Sequence, residues 1–450
     1  MSAAPAVPTP VHRTLDLALR CGEVLLAGGA GAAEVTATCT AVAEAAGLHE
    51  VECDITFTSI AMSAQSAPGD APVTGIRLVQ QRELDYTRVT AAHNLVDDLV
   101  TGRVAQPGAE RRLRELVTAR HPYRRWVVTG ARAGLAAAVA VLLGAGPSVT
   151  AAAFGATVAI DLSLARLARA QLPAFYQNVV GGLIATAVAL TLFAAEVGVR
   201  PSLVVAGGIV LLLPGVTLVG AVQDAISGFY VTAAARAFET FLLTAGIIAG
   251  VAAGLSVGLR LGLPVRIGDP STEPLGPMAV QLLAAAAVSA CFAVANHAPR
   301  RAVPVAGAAG ALGWAVFAAA GAASLDTPVA AAVAATTVGL AGPLVSRWRR
   351  VPALVHVVAG IIPLLPGLTI YRGMRRFAEG DTISGVTLLG EAVTTGLALA
   401  AGALLGEHLA RRRRAASRAD GGRDTGARRR RPAPLPVGTA RTRWRRPVRR

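Results

Sequence analysis

No phosphate-cradling G-x-x-x-x-G-K-[ST] loop and no H-E-x-x-H pair occurs in these 450 residues. A pump driven by ATP within this chain and a zinc protease both lose their signature, and the chain reads as a non-enzyme without cofactor or metal. The nearest approach, HEVEC at His49 to Cys53, lacks the second histidine and leads into a predicted strand. Charge is scarce as well: 16% of residues are charged and 53% are hydrophobic, too apolar for two or three ordinary soluble domains. The four cysteines, Cys21, Cys39, Cys53 and Cys291, have neither metal-ligand spacing nor a disulfide pattern and read as free thiols. The start, MSAAPAVPTPVHR, has no apolar signal core, so residues 1–126 are expected to stay in the cytoplasm.

What is abundant is alanine, valine, leucine and glycine in long runs. From Val127 on, about ten apolar stretches are long enough to cross roughly 30 Å of hydrocarbon. They fall near 127–146, 149–166, 178–196, 202–222, 231–258, 277–296, 302–323, 327–345, 351–371 and 383–407. Small residues in them permit close helix packing in lipid. The expected class is a mostly α polytopic membrane protein, preceded by a small cytoplasmic α+β domain over 1–126. In that domain, helices are expected near 13–26, 32–46, 84–100 and 108–120. VECDITFTSIAMS (51–63) alternates like a half-buried strand, and VTGIRLVQ (73–80) is its partner.

The net charge of +16 is local: residues 411–450 hold 16 Arg against Asp420 and Asp424. This tail is expected to be disordered, and either anchors topology or meets anionic lipid. With only Trp444 available for stacking, nucleic acid is not expected as a partner. Arginine also orients the spans. With both termini inside, inner segments hold Arg124/Arg125, Arg166/Arg169, Arg236, Arg300/Arg301 and Arg347/Arg349/Arg350, against Arg200, Arg260 and Arg266 outside. Arg372, Arg375 and Arg376 break the rule, either through a slipped span or because they face water.

One sentence is written twice. LLLPGVTLVGAVQDAISG (211–228) and LLPGLTIYRGMRRFAEG (364–380) match at an offset of 152: Pro214 with Pro366, Gly215 with Gly367, Thr217 with Thr369, Gly228 with Gly380, and beyond them Glu239 with Glu391. Ser202 to Leu213 supplies about 18 Å of helix before the break, too short to cross. Proline removes a donor and glycine frees the backbone, so each segment is expected to be discontinuous, which lipid tolerates only beside protein or a cavity. Five spans separate the breaks, so they should run in opposite directions. The implied architecture is a 5+5 inverted repeat (127–260 and 261–410) with a solute near the midplane; the alternative is a pair of structural kinks.

Ionisable and polar groups in the spans sharpen this. Asp161, Asn178, Asp224, Arg236, Glu239 and Glu391 are costly there and are candidates for solute or proton sites, or for structural pairs. Thr217, Thr369 and Tyr371 either touch solute or bond a helix carbonyl. The helix start after each Pro-Gly suits a carboxylate, and Glu239 and Glu391 suit an ammonium group or a proton, with Asp161 a further proton candidate.

On these residues the chain resembles the threonine/serine exporter family: a DITFT-like strand, PGVTLVGAVQDAISG with a nearby RAFE, and LLPGLTIYRGM, over roughly residues 13–410. The resemblance implies export of L-threonine and L-serine across the plasma membrane, driven by the proton gradient. Pro214, Gly215, Thr217, Asp224, Pro366, Gly367, Thr369, Tyr371 and Arg372 would then line the route. Split relatives tied to dicarboxylate export leave a second substrate open, with Arg236 and Arg372 holding the extra carboxylate. A membrane-anchored scaffold is the third reading, and a homo-oligomer is left open.

Overall fold

The computed structural model describes residues 10–79, 83–196, 201–263 and 276–421. The amino-terminal unit begins with helices α1 (Pro10–Ala27) and α2 (Ala32–Ala45), joined by Gly28–Gly31. Strands β1 (His49–Thr56), β2 (Ser59–Gln65) and β3 (Val73–Leu78) form an antiparallel sheet in that order. Helices α3 (Tyr86–Val100) and α4 (Gln106–Thr118) complete it. Its own core includes Leu25, Leu26, Val35, Cys39, Ile55, Ile60, Met62 and Val89.

The stretch VECDITFTSIAMS is not one strand. It folds back at Phe57–Thr58, pairing Thr56 with Ser59 and Ile55 with Ile60. The turn has no glycine, proline or asparagine, and Phe57 takes a positive φ of 27°. A tertiary contact holds it: the Phe57 N–H donates to Thr232 Oγ1 at 3.1 Å.

The helical body follows: α5 (Arg125–Leu142), α6 (Pro147–Arg169), α7 (Ala174–Ala194), α8 (Pro201–Ile209), α9 (Gly215–Ile226), α10 (Tyr230–Arg260), α11 (Met278–Ala295), α12 (Val303–Ala322), α13 (Thr327–Arg349), α14 (Ala353–Ile361), α15 (Gly367–Ala378) and α16 (Thr382–Gly421). Among the described residues, eight helices are long and apolar enough to cross a membrane, and the bent pairs α8–α9 and α14–α15 raise the number to ten if each is one crossing. Helix α16 passes residue 410; most of the arginine-rich tail, 422–450, lies outside the described residues, as do Arg200 and Arg266.

The packing partners recur from one half to the other. Helix α5 packs on α6 and α11 on α12; α7 packs on α10 and α13 on α16; α8 rests on α6 and α7, as α14 does on α12 and α13. Across the halves, α5 meets α11, α9 meets α16 and α15 meets α10. Glycines bring the long helices together at matching places. Gly182 and Gly250 set α7 against α10, and Gly339, Gly402 and Gly406 set α13 against α16, where a Cβ would collide with the facing backbone. The three arginines that break the charge rule ride on α15. Arg375 pairs with Glu379 at 2.8 Å and Arg376 with Asp381 at 3.9 Å, at a helix end where cations suit the dipole.

Candidate functional site: a cavity at two crossed helix breaks

The breaks arise alike. A residue before proline is pushed out of the α region, and Leu213 (ψ 123°) and Leu365 (ψ 135°) are extended just ahead of Pro214 and Pro366. Each follows a 3-10 turn, Val210–Leu212 or Ile362–Leu364. New helices start at Gly215 and Gly367, and the chain bends by 49° at the first break and 46° at the second. The breaks also lie against each other. A Cβ on Gly215 would stand 3.2 Å from Leu365 Cβ, and one on Gly367 would stand 3.2 Å from Leu213 Cβ.

Beside this crossing is a cavity of about 210 Å³. Helix α9 gives it Val216, Thr217, Val219, Gly220 and Gln223; α10 gives Arg236 and Glu239; α14 and the turn after it give Leu354, Val358, Ile361, Ile362 and Leu365. The remaining wall is Leu26, Ala27, Gly29 and Leu84 of the amino-terminal unit. The cavity therefore presents a guanidinium, a carboxylate, a hydroxyl and an amide within an apolar surround. That combination suits a small solute carrying both charges.

Asp224 does not line the cavity. Its buried carboxylate meets Arg236 Nη1 at 3.1 Å and accepts the Ala32 N–H at 2.9 Å. Arg236 Nη2 also donates to the Ala30 carbonyl at 3.5 Å. Pro214, Gly215, Pro366 and Gly367 are buried at the crossing itself. Thr369 and Arg372 are half-buried on α15 and are not among the cavity's lining residues. Tyr371 is not among the cavity's lining residues either; it is buried in an apolar cluster with Val149, Ile160 and Leu212, and its hydroxyl has no hydrogen-bond partner among the described residues.

Glu239 and Glu391 match in the repeat but differ in place: Glu239 lines the cavity, whereas Glu391 is exposed on α16. Asp161 is buried between α5 and α6, where Thr129 Oγ1 donates to it at 2.6 Å and Arg132 pairs with it at 2.5 Å. Asn178 ties α7 to α10 by donating to the Leu243 carbonyl at 3.0 Å. His356, 1% exposed on α14, stands outside the paired motifs, although an ionisable side chain in an apolar run is itself a signal. Gln223 and the amino-terminal wall carry no motif of their own in the sequence. One G-x-S-x-G match exists, Gly254–Gly258, inside α10. Ser256 Oγ there donates to Ala252 O at 2.9 Å, as an ordinary helical serine does, without the strand-to-helix elbow a hydrolase needs.

Comparison with known proteins agrees with this organisation. A family model described as "Putative threonine/serine exporter" matches residues 16–258, and a second, described as "Threonine/Serine exporter, ThrE", matches residues 281–409. A "Probable threonine/serine exporter" of Mycobacterium tuberculosis is 39% identical over 407 residues, covering 89% of this chain and 77% of that protein. A "Threonine/serine exporter" of Corynebacterium glutamicum is 35% identical over 410 residues, covering 90% of this chain and 84% of the relative. No solved structure matches the chain. With two family models that together span most of the chain, two relatives alike over most of their length, and eight to ten candidate membrane-spanning segments among the described residues, this multi-pass membrane protein belongs to the threonine/serine exporter family.

Proposed function

We propose that the protein is a secondary transporter that exports L-threonine and L-serine across the plasma membrane, with both termini in the cytoplasm and the proton gradient as its drive. The observation that carries this reading is the cavity at the crossed breaks, whose wall holds Arg236 and Glu239 one helical turn apart. An α-amino acid carries a carboxylate and an ammonium group, and Arg236 and Glu239 answer both. Thr217 is in reach of the same space and is the side-chain hydroxyl partner in this reading. A dicarboxylate would need two cations, whereas Arg372 is not among the cavity's lining residues, so the amino acid is favoured over succinate.

The reciprocal contacts of Gly215 with Leu365 and Gly367 with Leu213, and the matched packing of α5–α10 with α11–α16, support a 5+5 inverted repeat over 127–260 and 261–410. In such a repeat the broken segments rock about a fixed solute, exposing it to one face and then the other. Glu239 is the proton-coupling residue this reading selects, because it shares the cavity with the solute. Asp161 holds a structural pair with Arg132, and Glu391 is left for the opposite face.

Counterflow in proteoliposomes tests this. Purified protein should accelerate exchange of labelled threonine and serine but not of succinate. Exchange of succinate alone would move the protein to dicarboxylate export, and no exchange of any solute would overturn transport.

A further inference from the structure

We infer that the amino-terminal unit completes the solute cavity and closes it: the Gly28–Gly31 loop is a lid, and Asp224 is the positioning residue that latches it to Arg236. This rests on the reading of the cavity as the solute site. Three observations carry it.

First, the cavity is not a property of the membrane helices alone. Leu26, Ala27, Gly29 and Leu84 form its wall on the side of the amino-terminal unit. The loop fits that position because it is made of glycine and alanine. Gly29 takes a φ of +92° and abuts Leu84, a conformation and a space that a larger residue would not accept.

Second, one carboxylate serves both partners. Asp224 Oδ1 accepts the N–H of Ala32, the first residue of α2, and Oδ2 meets Arg236 Nη1 at 3.1 Å. The positive end of α2 and a guanidinium thus share one buried anion. Arg236 in turn donates to the Ala30 carbonyl at 3.5 Å. Arg236 is therefore held both by the lid and by the residue that holds the lid.

Third, the same helix face grips the unit again. Thr232, one turn before Arg236 on α10, receives the Phe57 N–H and donates to the Ile55 carbonyl at 3.1 Å. The hairpin tip and the lid are docked along one stripe that runs on to Glu239. A solute carboxylate that reaches Arg236 competes with Asp224 for the guanidinium, which weakens the latch as the site fills. Access from this side then requires the loop to withdraw from α9 and α10.

The test uses the full-length chain in proteoliposomes. Leu26, on α1 two residues before the loop, and Leu354 both line the cavity, and Leu354 packs on the amino-terminal core, so a disulfide between Leu26→Cys and Leu354→Cys, its formation confirmed by mass spectrometry, ties the base of the lid to α14. Oxidation to the disulfide should reduce threonine counterflow to that of protein-free vesicles, reduction should restore it, and the native chain treated alike should keep its rate. Full exchange with the disulfide confirmed by mass spectrometry would overturn the lid. A second readout needs no solute: a hydrophilic maleimide should alkylate Thr217→Cys severalfold faster when Asp224→Asn is added, each rate corrected for the chain without the added thiol. Equal rates would overturn the latch. If neither threonine nor serine exchanges through the native chain, the solute reading fails while the alkylation pair still decides the lid.

Discussion

Gly215 lies against Leu365 and, 152 residues later, Gly367 lies against Leu213, so that a Cβ added to either glycine would stand 3.2 Å from the facing leucine's Cβ. The two breaks are thus one joint. Overpacking a tight site costs roughly 1–3 kcal/mol, and about 1.4 kcal/mol on a barrier is a tenfold change in rate. Gly215→Leu and Gly367→Leu should therefore each lower threonine export by roughly tenfold or more while insertion and yield hold. Export assays normalised to membrane-inserted protein check this, and unchanged export in either variant would detach the joint from transport.

The carboxylates in the membrane helices should separate by role. Asp161→Asn removes the partner of Arg132 and Thr129 and should cost about 1–3 kcal/mol of stability without changing exchange per folded molecule. Glu239→Gln should abolish the dependence of export on the proton gradient. Thermal unfolding in detergent beside gradient-driven export distinguishes the two. A normal gradient response in Glu239→Gln would remove it as the coupling residue.

The amino-terminal unit carries its own titration. Glu34 and His93 pair at 2.8 Å on α2 and α3. Burial opposes both charges, but the hydrogen bond and the opposite charge outweigh it, holding the Glu34 carboxyl below its ordinary value of 4.5 and the His93 imidazole above its ordinary 6.5. A lowered carboxyl contributes stability above its unfolded pKa, and a raised imidazole contributes stability below its own. The pair is therefore worth most between about pH 4.5 and 6.5 and fades as pH rises through the raised value of His93. The thermal midpoint of the native chain should exceed that of His93→Gln near pH 6, and the difference should shrink by pH 9. A difference that grows with pH would contradict the pairing.

Thiol reactivity should follow burial. Burial alone pushes the Cys21 thiol up to about 12, and the neighbouring Cys53 thiol together with burial raises Cys39, whereas hydrogen bonding from Cys39 lowers half-buried Cys53. Maleimide at neutral pH should therefore modify Cys53 well before Cys21 or Cys39, read by peptide mass spectrometry. Earlier modification of Cys39 would overturn that order.

The crossings and both breaks are legible in the sequence because their causes are local. Length and hydropathy set the spans, and each Pro-Gly pair leaves its mark on the residue before it, Leu213 or Leu365. The turn at Phe57 escapes the sequence because a contact with Thr232, not a turn residue, makes it. The lid escapes for a related reason. Asp224 and Arg236 grasp the main chain at Ala32 and Ala30, and backbone groups leave no signature in side-chain identity. The 152-residue offset pairs Glu239 with Glu391, yet the two differ in place: Glu239 lines the cavity that Leu26, Ala27, Gly29 and Leu84 help to wall, and Glu391 is exposed on α16.

Solute protection of a single thiol probes the centre of this account most directly. Thr217→Cys places a reporter on the cavity wall beside the crossing. L-Threonine and L-serine should slow its alkylation in the purified chain in a saturable manner, and succinate should not. Alkylation indifferent to threonine and serine, in protein that still exchanges them, would mean that the solute passes elsewhere.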